Sequence, residues 1–142
     1  MLCVTDRHAA TDRQLDEVTA DLIQSGLRGL QIREKDMSDE AYRVLVWKIM
    51  VQKENMPVRL YLNSRVSLAA ELGVGLHLPD GSDVAAARRQ LGAEASIGVS
   101  CHSLESARRA EECAASFVMF GPIFTPISKT PSGSPVGLSA LE

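Results

Sequence analysis

The sequence lacks any window of about 18 apolar residues, the length that spans a bilayer, and its first ten residues, MLCVTDRHAA, lack the basic segment and apolar run of a signal peptide. A membrane span and a secretory leader are therefore not expected, and the reading places the protein in the cytoplasm. Cysteine is scarce: Cys3, Cys101 and Cys113 are odd in number and fit no CxxC spacing. That excludes a disulfide framework and favours reduced, buried, inert thiols. Excess positive charge is missing too, since 15 Lys and Arg against 18 Asp and Glu give a net charge of −3. No nucleic-acid or anionic-membrane partner is expected, and any anion site has to be local. No GxGxxG follows the first apolar run, which disfavours a dinucleotide-binding domain.

What the chain does contain is a single-domain length, 142 residues with 45% hydrophobic content, in which short apolar runs alternate with amphipathic stretches. Strands are expected over 2–5, 30–33, 58–62, 75–78, 96–100 and 117–120. Helices are expected from Thr11 or Asp12 to near Gly26, from Ser38 to before Pro57, and over 66–72, 83–91 and 103–113. Their inward faces are read as Leu15, Val18, Leu22 and Ile23; Ala41, Val44, Val46, Ile49 and Met50; Ala85, Ala86 and Leu91; and Leu104, Ala107 and Ala110.

Strand followed by helix, repeated, implies parallel pairing by right-handed crossovers. Polar residues recur at the C-terminal strand ends: Asp6 and Arg7, Arg33 and Lys35, Asn63, His77, Ser100 and His102, then Thr125. Convergence of such ends on one mouth is the hallmark of a (β/α)8 barrel. The expected fold is thus an α/β, TIM-type barrel occupying 1–142 as one domain and truncated after about the sixth strand. An open parallel sheet has uncovered edges, which leads to the expectation of a homo-oligomer.

The stretch LQIREKD, residues 30–36, sharpens the question of function. Continued as a strand, it aligns Gln31, Arg33 and Lys35 on one face and Leu30 and Ile32 on the other. An amide, a guanidinium fork and an ammonium side by side suit phosphate oxygens. On a strand Cys101 and His102 point oppositely, which argues against a thiol–imidazole dyad. His77 reads as a packed histidine and His8 as a surface residue of the first loop.

Five motifs in order, QIREKD (31–36), NSR (63–65), GLHLPDGSD (75–83), GVSCH (98–102) and FGPIFTPISK (120–129), resemble those of the thiamine-phosphate synthase and thiazole tautomerase family. The resemblance implies a (β/α)8 barrel, with two strands and glycine-rich phosphate loops beyond the six read here. It implies condensation of hydroxymethylpyrimidine diphosphate with thiazole phosphate, giving thiamine phosphate and pyrophosphate. Gln31, Arg33, Lys35, Asn63, Ser100, Thr125, Ser128 and Lys129 are then the substrate- and phosphate-binding positions, with Lys129 and His102 catalytic. Relatives hold Mg2+ with an Asp directly after the Asn and a second Asp after the fourth strand. Here the first position is Ser64 and the second is Asp83 or Asp80, Asp83 being equally suited to cap a helix.

The residue at Ser64 raises an alternative, a metal-independent thiazole tautomerase in which His102 moves the proton, a task suited to imidazole. A catalytically silent ligand-binding or regulatory barrel is the third reading. The Pro-, Gly- and Ser-rich stretch from Pro122 to Gly137 is expected to act as a lid over the site.

Overall fold

The computed structural model describes residues 1–10, 12–125 and 135–141. It contains β1 (Leu2–Val4), α1 (Leu15–Gln24), β2 (Gly29–Ile32), α2 (Asp39–Gln52), β3 (Arg59–Asn63), α3 (Val66–Leu72), β4 (Gly75–Leu78), α4 (Val84–Leu91), β5 (Ile97–Cys101), α5 (Leu104–Glu112), β6 (Phe117–Phe120) and a 3-10 turn at Leu138–Leu141. None of the helices among the described residues is long and apolar enough to cross a membrane. The chain divides into two compact units, Met1–Leu76 and His77–Glu142, with the division inside β4.

In the first unit the strands lie in chain order. β1 is parallel to β2 with Leu2 beside Gly29, and β2 is parallel to β3 with Leu30 beside Leu60. All four residues of β2 are buried, as expected of a parallel strand covered on both faces. Leu30, Ile32, Leu62, Val46 and Ile49 form the centre of the core, each fully buried. The side chain of Ser38 accepts from the Ala41 N–H at 3.2 Å and starts α2 where its sequence position suggests.

In the second unit β5 is parallel to β6, with Gly98 directly beside Phe117. A Cβ on Gly98 would stand 2.2 Å from the Phe117 ring, so glycine here makes room for an aromatic neighbour. The same device operates in the first unit, where a Cβ on Gly75 would stand 2.6 Å from Tyr61. Arg88 on α4 donates to the carbonyls of Gly92, Ala93 and Ala114 at 3.1, 3.0 and 2.6 Å, joining the loops after α4 and α5.

Several expected faces are rotated. Val44 is 52% exposed and Leu104 57% exposed, while Tyr42, Leu45 and Ser106 are buried; Ala110 is buried as expected. In α4 the buried positions are Val84 and Ala87, not Ala85 and Ala86. α1 begins at Leu15 after Gln14, so Asp12 does not cap it, and Thr11 lies outside the described residues. Only Cys101 of the three thiols is fully buried; Cys3 and Cys113 are half-buried.

Candidate functional site

The C-terminal ends of β1, β2 and β3 lie next to one another in the first unit. β2 stops at Ile32, so the alternation expected through Lys35 does not hold. The cause is local. The Arg33 N–H donates to the Thr5 side-chain oxygen at 2.9 Å instead of continuing the ladder, and residues 33–36 turn away. Gln31 is the last inward polar residue on β2, only 2% exposed, and its amide donates to the Asn63 carboxamide oxygen at 3.0 Å. Asn63 in turn donates to the Ser64 hydroxyl at 3.1 Å. Gln31 and Asn63, each singled out from the sequence, are therefore joined by a direct bond.

Ser64 adopts a left-handed conformation, φ 61°, which is uncommon for a residue other than glycine, asparagine or aspartate. Strain of this kind gathers where a chain has to aim a side chain. Arg65, next along, is fully committed. It pairs with Asp39, donates to the Met37 carbonyl at 3.1 Å, and stacks over the Tyr42 ring at 4.9 Å. The Tyr42 hydroxyl donates to the Ile32 carbonyl at 2.6 Å, and burial pushes its phenol well up, so it remains a donor.

The sequence reading missed the network around Glu34. This carboxylate is 3% exposed, yet it accepts from the Thr5 hydroxyl at 2.6 Å, the Arg7 N–H at 3.2 Å and the Arg7 guanidinium at 3.4 Å. The same guanidinium makes a two-pronged contact with Asp36, both bonds 2.6 Å. Exposed His8 adds a contact to Asp36 at 3.2 Å. The Arg7 fork first, and His8 second, hold the Asp36 carboxyl far below the usual carboxylate range. The signal was present as two complementary charge strings, TDRH after β1 and REKD after β2.

Four cations thus sit at or just beyond these three strand ends. Arg7 and Arg65 are consumed by carboxylates and carbonyls. Among the described residues, neither the guanidinium of Arg33, a half-buried residue, nor the ammonium of Lys35, an exposed one, has a hydrogen bond or ion pair. A guanidinium that lacks a carboxylate partner is an anion receptor by its chemistry.

In the second unit, Ser100 is half-buried on β5 and His102 follows the strand, exposed. The His102 Nδ1 contacts the Gly121 carbonyl, which can only accept, so in the neutral ring the proton lies on Nδ1 and Nε2 carries the lone pair. Burial pushes the adjacent Cys101 thiol up, leaving it inert. His77 is 3% exposed and lies 6.2 Å from the Phe117 ring, a packed position as read from sequence. Thr125 is exposed in the loop after β6. Ser128 and Lys129 lie outside the described residues. The base of that loop is tied where it can be described: the Val136 and Gly137 N–H groups donate to the Pro122 and Ile123 carbonyls at 2.9 and 3.2 Å.

The side chains do not match the Mg2+ site of the resemblance. Ser64 offers a hydroxyl where a carboxylate is required, and the Asp83 carboxylate accepts from the Ala86 N–H at 2.8 Å as the cap of α4. Among the described residues, no three His, Cys, Asp or Glu side chains gather for a metal ion. Hard cations of this size are held by carboxylates with water and substrate oxygens, and the carboxylates of Glu34 and Asp36 are taken by Arg7.

The sequence profile described as thiamine monophosphate synthase matches residues 1–142. A Geobacter sulfurreducens protein provisionally named a thiamine-phosphate synthase is 37% identical over 140 residues, covering 97% of this chain and 66% of that protein. A thiamine-phosphate synthase from Roseiflexus sp. is 32% identical, covering 97% of this chain and 59% of that one. The chain therefore spans about three-fifths to two-thirds of these relatives. A thiamine phosphate pyrophosphorylase from Pyrococcus furiosus superposes with a TM-score of 0.82 at 20% identity, over 99% of this chain and 66% of that structure. That likeness establishes the TIM-type α/β fold read from the strand order.

Proposed function

Since the chain belongs to the thiamine monophosphate synthase family, we propose that it takes part in joining hydroxymethylpyrimidine diphosphate to thiazole phosphate, with Arg33 and Lys35 receiving the diphosphate. In this reaction the bond from the pyrimidine methylene carbon to the diphosphate oxygen breaks, the thiazole nitrogen bonds to that carbon, and pyrophosphate leaves with the electron pair. The carbon becomes cation-like while charge builds on the leaving oxygens. Fixed cations aimed at that growing charge lower the barrier more than they stabilise the bound substrate.

The observation that carries the reading is the pair of uncommitted cations in a neighbourhood where Arg7 and Arg65 are spent. Arg33 supplies a planar fork for two phosphate oxygens and Lys35 a compact charge. The Gln31 and Asn63 carboxamides, linked at 3.0 Å, form a polar pair suited to orienting the pyrimidine or a phosphate oxygen. Ser100, Thr125, Ser128 and Lys129 are proposed as further phosphate contacts on the motif match alone; the Nε2 lone pair of His102 suits the proton transfer of the tautomerase reading, since the condensation itself removes no proton. The relatives carry synthase names, which favours condensation over the tautomerase reading. Phosphorylated substrates and three free thiols support a cytoplasmic setting.

Pyrophosphate release from the two substrates, followed with the purified chain, tests this directly. Release that is lost in Arg33→Ala supports the reading. Absence of both release and diphosphate binding in the parent chain sinks it.

A further inference from the structure

Lys35 lies between two acids, Glu34 and Asp36, and Arg33 precedes the first of them. Carboxylates this close to cations would ordinarily pair with them, and a paired cation is a poor ligand for a diphosphate. In the structure both acids turn instead to a residue on another loop. The Arg7 guanidinium reaches Glu34 at 3.4 Å and clasps Asp36 at 2.6 and 2.6 Å, while its backbone N–H takes Glu34 at 3.2 Å.

Thr5 completes the arrangement. Its hydroxyl donates to Glu34 at 2.6 Å, and the same oxygen accepts the Arg33 N–H at 2.9 Å. The acids are therefore drawn toward the first loop at the point where the backbone of Arg33 is fixed. A buried carboxylate tolerates 3% exposure only with such compensation. No part of the condensation chemistry uses Glu34, Asp36 or Arg7, so their linkage needs its own account.

We propose that Arg7 is a positioning residue that sequesters Glu34 and Asp36, keeping Arg33 and Lys35 free for a diphosphate that Arg7 itself does not touch. This deepens the assignment of Arg33 and Lys35 above and rests on it. A plain structural clasp makes a different prediction. If Arg7 only held the fold, removing a second member of the clasp would make matters no better. If it withholds negative charge from the anion site, removing the charge that it releases restores the site.

Titration with inorganic pyrophosphate of the full chain, Arg7→Met and Arg7→Met/Asp36→Asn distinguishes the two. The single variant is expected to bind about tenfold more weakly, and the double to recover to within about threefold of the parent, a difference well resolved by calorimetry. Circular dichroism establishes that each is folded. Should Arg7→Met not fold, Arg7→Lys, which keeps one charge but cannot clasp two carboxylates, is expected to lose about threefold, again recovered by Asp36→Asn. A folded Arg7 variant that binds like the parent, or a double variant no better than the single, overturns the sequestration while leaving Arg33 and Lys35 as ligands. A parent chain that binds no pyrophosphate overturns both.

Discussion

The side-chain amide of Gln31 donates to the carboxamide oxygen of Asn63 at 3.0 Å, joining two strand ends that are 32 positions apart in the chain. Because Asn63 passes its own N–H to Ser64 at 3.1 Å, the three side chains form a directed series in which each orients the next. The left-handed backbone at Ser64 places the last hydroxyl within reach of that series.

Asn63→Leu removes the acceptor from an almost fully buried amide. The expected cost is about 1–3 kcal/mol, the range for removing one partner of a buried hydrogen bond. The double substitution Gln31→Leu with Asn63→Leu is expected to cost less than the sum of the singles, since each single already breaks the bond that the two side chains share. Urea melts of the four proteins give the coupling, and strict additivity would refute the direct bond.

Arg33→Ala is expected to weaken diphosphate binding by about 1.5–3 kcal/mol, the worth of hydrogen bonds to charged groups. Calorimetry with pyrophosphate reads this directly. Unchanged affinity would remove Arg33 from the site.

The Asp36 carboxyl is held below its ordinary range, chiefly by Arg7. A group with a depressed folded pKa contributes stability that is present above its unfolded value and lost as pH falls toward the folded one. With an unfolded value of about 3.9, the contribution is complete near neutrality. The melting temperature of the parent should therefore exceed that of Asp36→Asn at pH 7, and the two should draw together on acidification below about pH 4. Parallel curves across that range would contradict the pairing with Arg7.

Gly98→Ala places a methyl where the Phe117 ring already stands, 2.2 Å away. Overpacking of this kind costs about 1–3 kcal/mol. Phe117→Leu in the same chain should return most of the loss. If Gly98→Ala is neutral in thermal melts, the close approach is not a determinant of strand pairing.

Much of the fold was legible because strands and helices announce themselves by period and by punctuation. α3, β4 and β6 fall at Val66–Leu72, Gly75–Leu78 and Phe117–Phe120, the ranges read from the sequence. The phase of the helices was harder to read. α2 carries apolar residues on both sides, so periodicity alone cannot choose Val44 or Leu45 as inward; the Tyr42 hydroxyl, bonded to the Ile32 carbonyl at 2.6 Å, rotates the helix to bury Leu45. In α5 the buried Ser106 closes the N-terminal cap with Ser103, a role that hydropathy does not register.

The site was legible in its residue types and less so in its geometry. Arg33 and Lys35 were singled out, but by an alternation that ends at Ile32. The reason is the Thr5 hydroxyl, a side chain 28 positions away that takes the Arg33 N–H. Glu34 went unremarked because a lone acid between two bases reads as solvated, and only the tertiary contacts with Thr5 and Arg7 explain its burial.

A chain of net charge −3 with two uncommitted cations at the ends of β1, β2 and β3 gives an approaching polyanion little attraction until it has nearly arrived. At physiological ionic strength charge is felt over only about 8 Å, so capture of a diphosphate by Arg33 and Lys35 would be a short-range event governed by random encounter. Ionic strength should then register in how long the diphosphate stays, and only faintly in how often it comes.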